Sequence, residues 1–187
     1  LQLKSLDQTM IGLGFLEALN SSLSSKRVLY DMTNRDSKKI ISVLDSKSQE
    51  HTILRDCIFP GLIENLSRNI HESYPQKIFE TGSIFNLDNP ISEKTNLAVI
   101  SAHKDANFTE IKSVLQTALK IGFGIQIETK TAINPSFKNG HCANIIFNKN
   151  IVGIIGEIDS KIIDNYKIRV PVVGFEISLS DSILKSI

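Results

Sequence analysis

Hydrophobic residues along the chain alternate between helical and extended spacings. Near the amino end, Leu3, Leu6, Met10 and Leu13 are spaced three, four and three apart, which places them on one stripe of a helix. A short helix is predicted over residues 24–31, and a longer one begins at Pro60, a residue suited to the first helical turn. Further helices are predicted over residues 108–121, behind a capping sequence, and over residues 160–166.

Short β-branched and alternating runs predict the strands. The predicted strands cover residues 15–19, 40–44, 97–102, 124–130, 142–147, 151–157 and 172–177. Residues 76–85 are predicted to form a hairpin-like pair of strands that bends at Thr81 and Gly82, and residues 148–150 a tight hairpin turn. Strands joined by hairpins, with helices in clusters, predict an α+β fold with a mostly antiparallel sheet flanked by helices. Since no repeat or Gly/Ser linker divides the chain, we expect one domain over residues 1–187.

Composition narrows the class of protein. The chain has 187 residues, 41% of them hydrophobic, and a formal net charge of +1, values that exclude a disordered segment and disfavour a dedicated nucleic-acid domain. No apolar run is long enough to span a membrane. Two cysteines, Cys57 and Cys142, cannot form a disulfide framework, so we expect free thiols in a reducing cytoplasm. The chain begins at Leu1 without a signal-peptide pattern, and we interpret it as a fragment of a longer polypeptide.

Motifs for metal binding, phosphate binding and nucleophilic catalysis do not occur in the sequence. His141 and Cys142 are adjacent, and neighbours on a strand point to opposite faces, so this pair is not expected to chelate a metal. Neither a complete glycine-rich phosphate loop nor a G-x-S-x-G nucleophile motif is present. The sequence therefore predicts no catalytic, cofactor-binding or metal-binding residue in this chain.

Several charged residues permit chemistry but have simpler structural interpretations. Glu80 and Glu157 lie in apolar strands, which could raise their pKa values, but we favour carboxylates satisfied by backbone amides or a lysine. The triplet 103–105 (His-Lys-Asp) could support general-base chemistry, but a solvated loop explains it better. Arg55, Arg68 and Lys77 could form a strip for RNA phosphates, but interspersed acidic residues favour a mixed solvated face.

The amino-acid sequences of several segments indicate a protein family more specifically than any of these patterns. Residues 52–69 (TILRDCIFPGLIENLSRN) resemble the "LR-x-x-L-x-P-G-L-L" segment of phenylalanyl-tRNA synthetase beta subunits. Residues 74–85 (YPQKIFETGSIF) resemble the family's "Y-P-x-x-x-F-E-x-G-x-x-F", and residues 171–177 (PVVGFEI) its closing strand. Segments 106–112 and 155–158 are similar to further parts of the family and lie in the expected order. The sequences of these segments resemble archaeal and eukaryotic members of the family more than bacterial ones.

This resemblance implies a fold and a function. The matching region of the family is similar to a class II aminoacyl-tRNA synthetase catalytic domain but does not catalyse. The whole enzyme would be a cytoplasmic (αβ)2 heterotetramer that attaches phenylalanine to tRNA(Phe) with ATP and magnesium, with its active site in the alpha subunit. This fragment would then support assembly, and the stripe Leu3, Leu6, Met10 and Leu13 is our candidate subunit interface, because the corresponding helix and following strand build subunit contacts in class II folds. The same stripe could instead pack wholly onto its own sheet.

The sequence departs from class II catalytic domains where they hold ATP. Such domains resemble one another in placing an arginine in a strand–loop–strand hairpin and another at the start of the last helix. The analogous stretches here, residues 77–85 and the residues after Ile177, contain no arginine. It also departs from the family itself, because His141 stands where an arginine usually follows the glycine. Two alternatives remain open: an active class II-like ATP-binding domain with relocated site residues, and an RNA-binding module.

Overall fold

A seven-stranded sheet forms the centre of the protein, and helices cover both of its faces. The structure is a computed structural model and describes residues 2–37, 39–44, 48–179 and 183. The strand order is β1-β4-β5-β9-β8-β7-β6, and every neighbouring pair is antiparallel except β1 and β4. The strands of this sheet are β1 (Leu16–Glu17), β4 (Gln76–Asn86), β5 (Ser92–Ala102), β6 (Glu128–Thr131), β7 (Phe137–Phe147), β8 (Asn150–Ile158) and β9 (Val172–Ser178). The predicted α+β fold with a mostly antiparallel sheet is confirmed.

Two helices pack on one face of the sheet. They are α1 (Gln2–Gly12) and α4 (Phe108–Phe123), which also pack against each other. Asn107 caps α4 as predicted, because its side chain accepts a hydrogen bond from the amide of Glu110. Gly124 ends the helix in the left-handed conformation, at φ 70°, which a residue without Cβ adopts at little cost.

The opposite face of the sheet is covered by α3 (Phe59–Arg68), which packs on β4, β5 and β9. The short helix α5 (Ser160–Asn165) adds to the same apolar core. Outside α3 lie α2 (Lys26–Leu29), a 3-10 turn (Asp31–Thr33) and the two-stranded sheet of β2 (Leu23–Ser24) and β3 (Ile53–Leu54). The segment that connects β1 to α3 therefore lies against the outer side of α3.

Two sequence predictions of local structure are wrong. Residues 76–86 form one continuous strand, with no bend at Thr81 and Gly82, and the hairpin turn lies at residues 87–91. Gly82 is needed there for space, because a Cβ at this position would collide with the guanidinium of Arg55. The predicted strand over residues 40–44 is reduced to a single bridge between Ser42 and Ile53, and Leu44 is exposed. The neighbouring strand β3 is only two residues long, so high β-propensity in residues 40–44 yields one bridge and no full strand.

The remaining helices and strands lie near their predicted positions. The turn at residues 148–150 joins β7 to β8, with Asn148 and Lys149 both at positive φ. The strand predicted over residues 124–130 is shorter and later, at Glu128–Thr131. Residues 45–47, which follow the predicted strand 40–44, lie outside the described residues. Among the helices of the described part, none has the length and apolar character needed to cross a membrane.

Candidate functional site

A buried carboxylate, Glu176, lies in the middle of the sheet face that α3 covers. It belongs to the central strand β9 and is 5% exposed. Its oxygens accept hydrogen bonds from the backbone amides of Ile58 (3.0 and 3.1 Å) and Phe59 (3.0 Å), at the start of α3. Asn96 on β5 donates its side-chain amide at 2.6 Å, and the Cys57 thiol donates at 2.9 Å. Burial, followed by the nearby Glu176 carboxylate, raises the pKa of the Cys57 thiol well above its ordinary value, so the thiol stays protonated and can donate.

This arrangement replaces an ordinary helix cap. The amides at the start of a helix have no partner within the helix, and Ile58, at the cap position of α3, offers no side-chain acceptor. Glu176 supplies the acceptor from a strand more than one hundred residues away. The negative charge also lies at the positive end of the helix dipole, which favours it. The carboxylate thus holds the start of α3 against the sheet.

A buried ion pair lies beside Glu176 on the same face. The guanidinium of Arg55 donates to Glu80 on β4 at 2.6 Å and to the carbonyl of Ser83 at 2.9 Å. Both side chains are at most 5% exposed. Glu80 also accepts a hydrogen bond of 2.7 Å from the side-chain amide of Asn20. The carboxylate of Glu80 is satisfied as the sequence interpretation favoured, although by an arginine and an asparagine rather than by a lysine.

A second ion pair continues the network towards the surface. Arg35 and Asp56 form two hydrogen bonds of 2.9 Å, and the guanidinium also lies 5.1 Å from the ring centroid of Tyr30. Burial, together with the Asp56 carboxylate, raises the pKa of the Tyr30 hydroxyl. Since Arg55, Asp56 and Cys57 are consecutive, both ion pairs and the donors of Glu176 meet at the turn that leads into α3. The two ion pairs are neutralised within the protein, whereas the Glu176 carboxylate is satisfied by neutral donors.

The other carboxylate singled out in the sequence, Glu157, lies on the opposite face at the start of α4. It accepts hydrogen bonds from the amide of Phe108 (3.3 Å) and from Lys138 (3.3 Å), and lies 3.0 Å from the ring of His141. Burial raises the pKa of Glu157. The hydrogen bonds from His141 and Lys138 lower the pKa by a larger amount, so it lies below its ordinary value. The expected backbone amide and lysine partners are both present, and the pKa is not raised.

Most of the other singled-out residues have ordinary partners. His103 lies 2.8 Å from Glu110, which also pairs with Lys77 at 3.3 Å. Arg68 forms an exposed ion pair with Glu64. Arg55, Arg68 and Lys77 therefore do not form a continuous basic strip. This agrees with the sequence interpretation, which favoured a face of mixed charge. His141 is exposed and Cys142 is buried, and among the described residues no group of three or more metal-ligating side chains lies together.

The predicted interface stripe is divided between the core and the surface. Leu6 and Met10 are fully buried in the core between α1, α4 and the sheet, whereas Leu3 and Leu13 are half-buried beside it. Exposed apolar side chains lie instead on Ile11 (57% exposed) and on Leu16 (73%) in the edge strand β1. Within the stripe, only Leu3 and Leu13 are therefore accessible enough to contact a partner.

Sequence reasoning missed Glu176 as the centre of the buried network. The signal was present, because the segments containing Arg55, Glu80 and Glu176 are among those that carry the family resemblance. No local pattern indicates that these three segments meet on one sheet face. The contacts join residues that are far apart in the chain, and only the strand order brings them together.

We expect Glu176→Ala to destabilise the protein by about 3 kcal/mol or more, because it leaves two buried amides without acceptors. Glu176→Gln keeps the shape and one acceptor oxygen, so its cost should be smaller. Glu128→Ala, on the exposed edge strand β6, is the matched control and should change little. Urea unfolding of the three variants measures the difference, and equal stability of Glu176→Ala and the wild type would refute the capping role.

We expect Glu157 to stabilise the protein in a pH-dependent way. Because its pKa is lowered in the folded state, the stabilisation is complete above its ordinary pKa and is lost as the pH falls through the folded value. The difference in melting temperature between the wild type and Glu157→Gln should be a few degrees near pH 6 and should close towards about pH 3. Calorimetry over this range measures it, and a difference that grows on acidification would contradict the assignment.

Comparison with known proteins gives consistent results. The sequence pattern of the family described as phenylalanyl tRNA synthetase beta chain CLM domain matches residues 2–179. The chain is 36% identical to the phenylalanine–tRNA ligase beta subunit of Methanocaldococcus jannaschii over 176 residues, which is 92% of this chain and 32% of that protein. For the beta subunit of Korarchaeum cryptofilum the identity is 34%, covering 91% of this chain and 31% of the relative. The chain thus spans about a third of the length of these curated relatives.

A solved structure supports the fold independently. The structure of a pyrrolysyl tRNA synthetase from Desulfitobacterium hafniense superposes with a TM-score of 0.77, covering 95% of this chain and 65% of the other. At 18% sequence identity this likeness concerns the fold alone, which is that of a class II aminoacyl-tRNA synthetase. The archaeal relatives and the match over residues 2–179 define the family more narrowly. The chain belongs to the phenylalanyl-tRNA synthetase beta chain CLM domain family.

Proposed function

We propose that this chain is the non-catalytic core of a phenylalanine–tRNA ligase beta subunit, folded as one domain. In this proposal it supports assembly with an alpha subunit into an (αβ)2 heterotetramer. The assembled enzyme would attach phenylalanine to tRNA(Phe) in the cytoplasm, using ATP and magnesium at an active site in the alpha subunit. The names of the curated relatives support this role for the longer protein.

The observation that carries the proposal is the position of α3. The helix packs directly on β4, β5 and β9. By the resemblance, β4 belongs to the hairpin analogous to the one that holds ATP in class II domains, and β9 is the closing strand of the family. Ala98 and Ile100 of β5 and Leu62 and Leu66 of α3 are buried in the same apolar core. A nucleotide on this face would have to displace α3 and expose that core to water, which costs free energy in proportion to the apolar area.

The charges on this face also do not suit ATP. Holding a triphosphate requires fixed cations or donors aimed at its oxygens. The complete hairpin from Gln76 to Ala102, whose turn lies at residues 87–91, contains no arginine. The neighbouring guanidinium, Arg55, is already bound to Glu80. These contacts favour a structural module over an active ATP-binding domain with relocated site residues.

The surface around β1 is the best candidate for the alpha-subunit contact. Within the described part of the chain, this two-residue strand pairs with β4 on one side and has no strand on its other edge, which is available for a partner. Ile11, Leu16 and Leu19 are all more than half exposed, and Leu19 reaches 84%. Burying exposed apolar side chains is the main driving force of most subunit interfaces. The proposal thus moves the interface from Leu6 and Met10 to the neighbouring residues of α1 and β1.

We expect the purified beta subunit alone to show no phenylalanine-dependent pyrophosphate exchange and no saturable ATP binding. The reason is that α3 occupies the sheet face and the arginines that would clamp a nucleotide are absent. The complex with the alpha subunit is the positive control in the same assay. Exchange by the beta subunit alone that disappears in Lys77→Ala would support the active-domain alternative and overturn this one.

We expect Leu16→Asp to leave the melting temperature within about 2 °C of the wild type but to weaken assembly with the alpha subunit more than tenfold. A charged side chain has little effect on free energy at a solvent-exposed strand edge. The same charge costs several kcal/mol when a partner buries it without a counter-charge. Leu3→Asp, at a half-buried position, should show a weaker form of the same effect. Leu6→Asp should unfold the domain, because its side chain is fully buried.

The matched control for this experiment is Ile133→Asp, which changes an apolar residue that is 90% exposed in the loop before β7. It should neither unfold the protein nor alter assembly. Analytical ultracentrifugation of mixed subunits measures the association. If Leu16→Asp assembles as well as Ile133→Asp, the interface lies on another surface.

A further inference from the structure

The sheet ends at a second strand edge, on the side opposite β1. Within the described part of the chain, β6 pairs with β7 and no strand lies on its other side. In an antiparallel pair, residues that bond to the neighbouring strand alternate with residues whose backbone groups point away from it. The amide of Ala132 donates to β7, so Glu128 and Lys130 also bond to β7, and Thr129 and Thr131 direct their backbone N–H and C=O groups outwards. The edge therefore presents two donors and two acceptors at the spacing of a strand.

A groove runs beside this edge, between β6 and α4. Ile125 and Ile127 line its first half, and Thr129 and Thr131 line its second half. Ile125 is buried in the core beneath α4, Ile127 is half-buried against that core, and Thr129 lies opposite Ile145, which belongs to it. The groove contains two depressions of about 400 and 250 Å³. Pockets that bind small ligands usually measure about 300–1,000 Å³, so the groove can receive side chains of a bound chain.

The helix α4 supplies the other wall of the groove. Phe108, Gln116 and Lys120 line it, and Lys112 lies between them at the four-residue spacing that keeps side chains on one side of a helix. The groove thus combines apolar side chains from both walls with polar and basic side chains from the helix.

The free charges at the groove are positive. Among the described residues, neither Lys112 nor Lys120 forms an ion pair or a side-chain hydrogen bond. Glu157, at the far end of the groove, is held by Lys138 and His141. The strand β6 carries one carboxylate, which points to the opposite face of the sheet because side chains alternate along a strand. An acidic segment therefore complements the groove, whereas a basic segment does not.

A free strand edge beside a groove is an arrangement in which proteins bind extended peptides as an added strand. Backbone hydrogen bonds hold the peptide, and its alternate side chains enter the groove and determine which sequence binds. We propose that the edge of β6 binds an extended, acidic segment of a separate protein in this way. The backbone of the segment pairs with Thr129 and Thr131, its apolar side chains occupy the groove, and its acidic side chains lie beside Lys112 and Lys120. This site is at the opposite edge of the sheet from β1 and is distinct from the alpha-subunit contact proposed above.

The proposal is tested with synthetic peptides and the full-length beta subunit, assembled with the alpha subunit if it requires it. The acidic probe is a capped heptapeptide in which two valines and two terminal glutamates alternate with three serines, and the basic probe carries lysines in place of the glutamates. Fluorescence anisotropy of the labelled acidic probe should show saturable binding with a dissociation constant of about 100 µM or tighter. The basic probe should bind about fivefold more weakly, as expected for the loss of two exposed ion pairs. Hydrogen exchange at the amides of Thr129 and Thr131 should slow when the acidic probe is bound, because an added strand protects them.

Thr129→Pro should weaken binding of the acidic probe about tenfold, because proline removes an outward amide that the added strand needs. A proline whose missing N–H faces solvent is tolerated in an edge strand, so the melting temperature should stay close to that of the wild type. Thr131→Pro is a second variant of the same kind. Thr129→Val keeps the amide, so it is the matched control and should bind like the wild type. Lys120→Glu should remove the preference for the acidic probe, whereas Lys161→Glu, at an exposed lysine on α5, should not.

Several results would overturn the proposal. One is the absence of saturable binding of the acidic probe. Another is equal binding by both proline variants and the wild type, which would indicate charge attraction without strand addition. Slow exchange at Thr129 and Thr131 without any peptide would show that another part of the protein, or a second copy, already covers this edge. Unfolding by both prolines would contradict the outward direction of these amides.

Discussion

The contact between Glu176 and the start of α3 is the constraint on which this fold depends. A buried carboxylate is costly unless several donors satisfy it, and the first amides of a helix are costly unless an acceptor reaches them. Here the helix amides donate to the Glu176 carboxylate, so each satisfies the other, and Cys57 and Asn96 are further donors. Neither partner can leave without exposing the other as an unsatisfied group. The position of α3 on the sheet is therefore set by polar chemistry as well as by apolar packing.

This constraint also orders the segment that covers the sheet. The fold as a whole is similar to that of a tRNA synthetase, with a TM-score of 0.77 over 95% of this chain. On the sheet face that α3 covers, charged residues are paired within the protein, as in Arg55 with Glu80. Buried ion pairs of this kind contribute modestly to stability but tolerate the loss of one partner poorly. They fix one arrangement of the covering segment over the sheet.

The sequence predicted the features that depend on neighbouring residues. The cap of α4 at Asn107 and the turn at Asn148 and Lys149 follow from local backbone chemistry, and both are confirmed. Gly82 was misinterpreted as a bend because the reason for the glycine, the guanidinium of Arg55, comes from a segment more than twenty residues away. The residues of the buried network were visible within the family-like segments, but their meeting depends on strand order. Pairings over such distances are not encoded in any local period.

The location of β9 has a consequence for how the protein is made. This strand is central in the sheet, between β5 and β8, yet among the described residues it follows every other strand in the sequence. On the ribosome, β5 and β8 must therefore wait for β9, with their edges unpaired and α3 without its acceptor. Edges of this kind are prone to pair with other chains, and long-range pairings form slowly. Synthesis of residues 172–178 is thus the step that joins β5 to β8 through β9 and gives the start of α3 its acceptor.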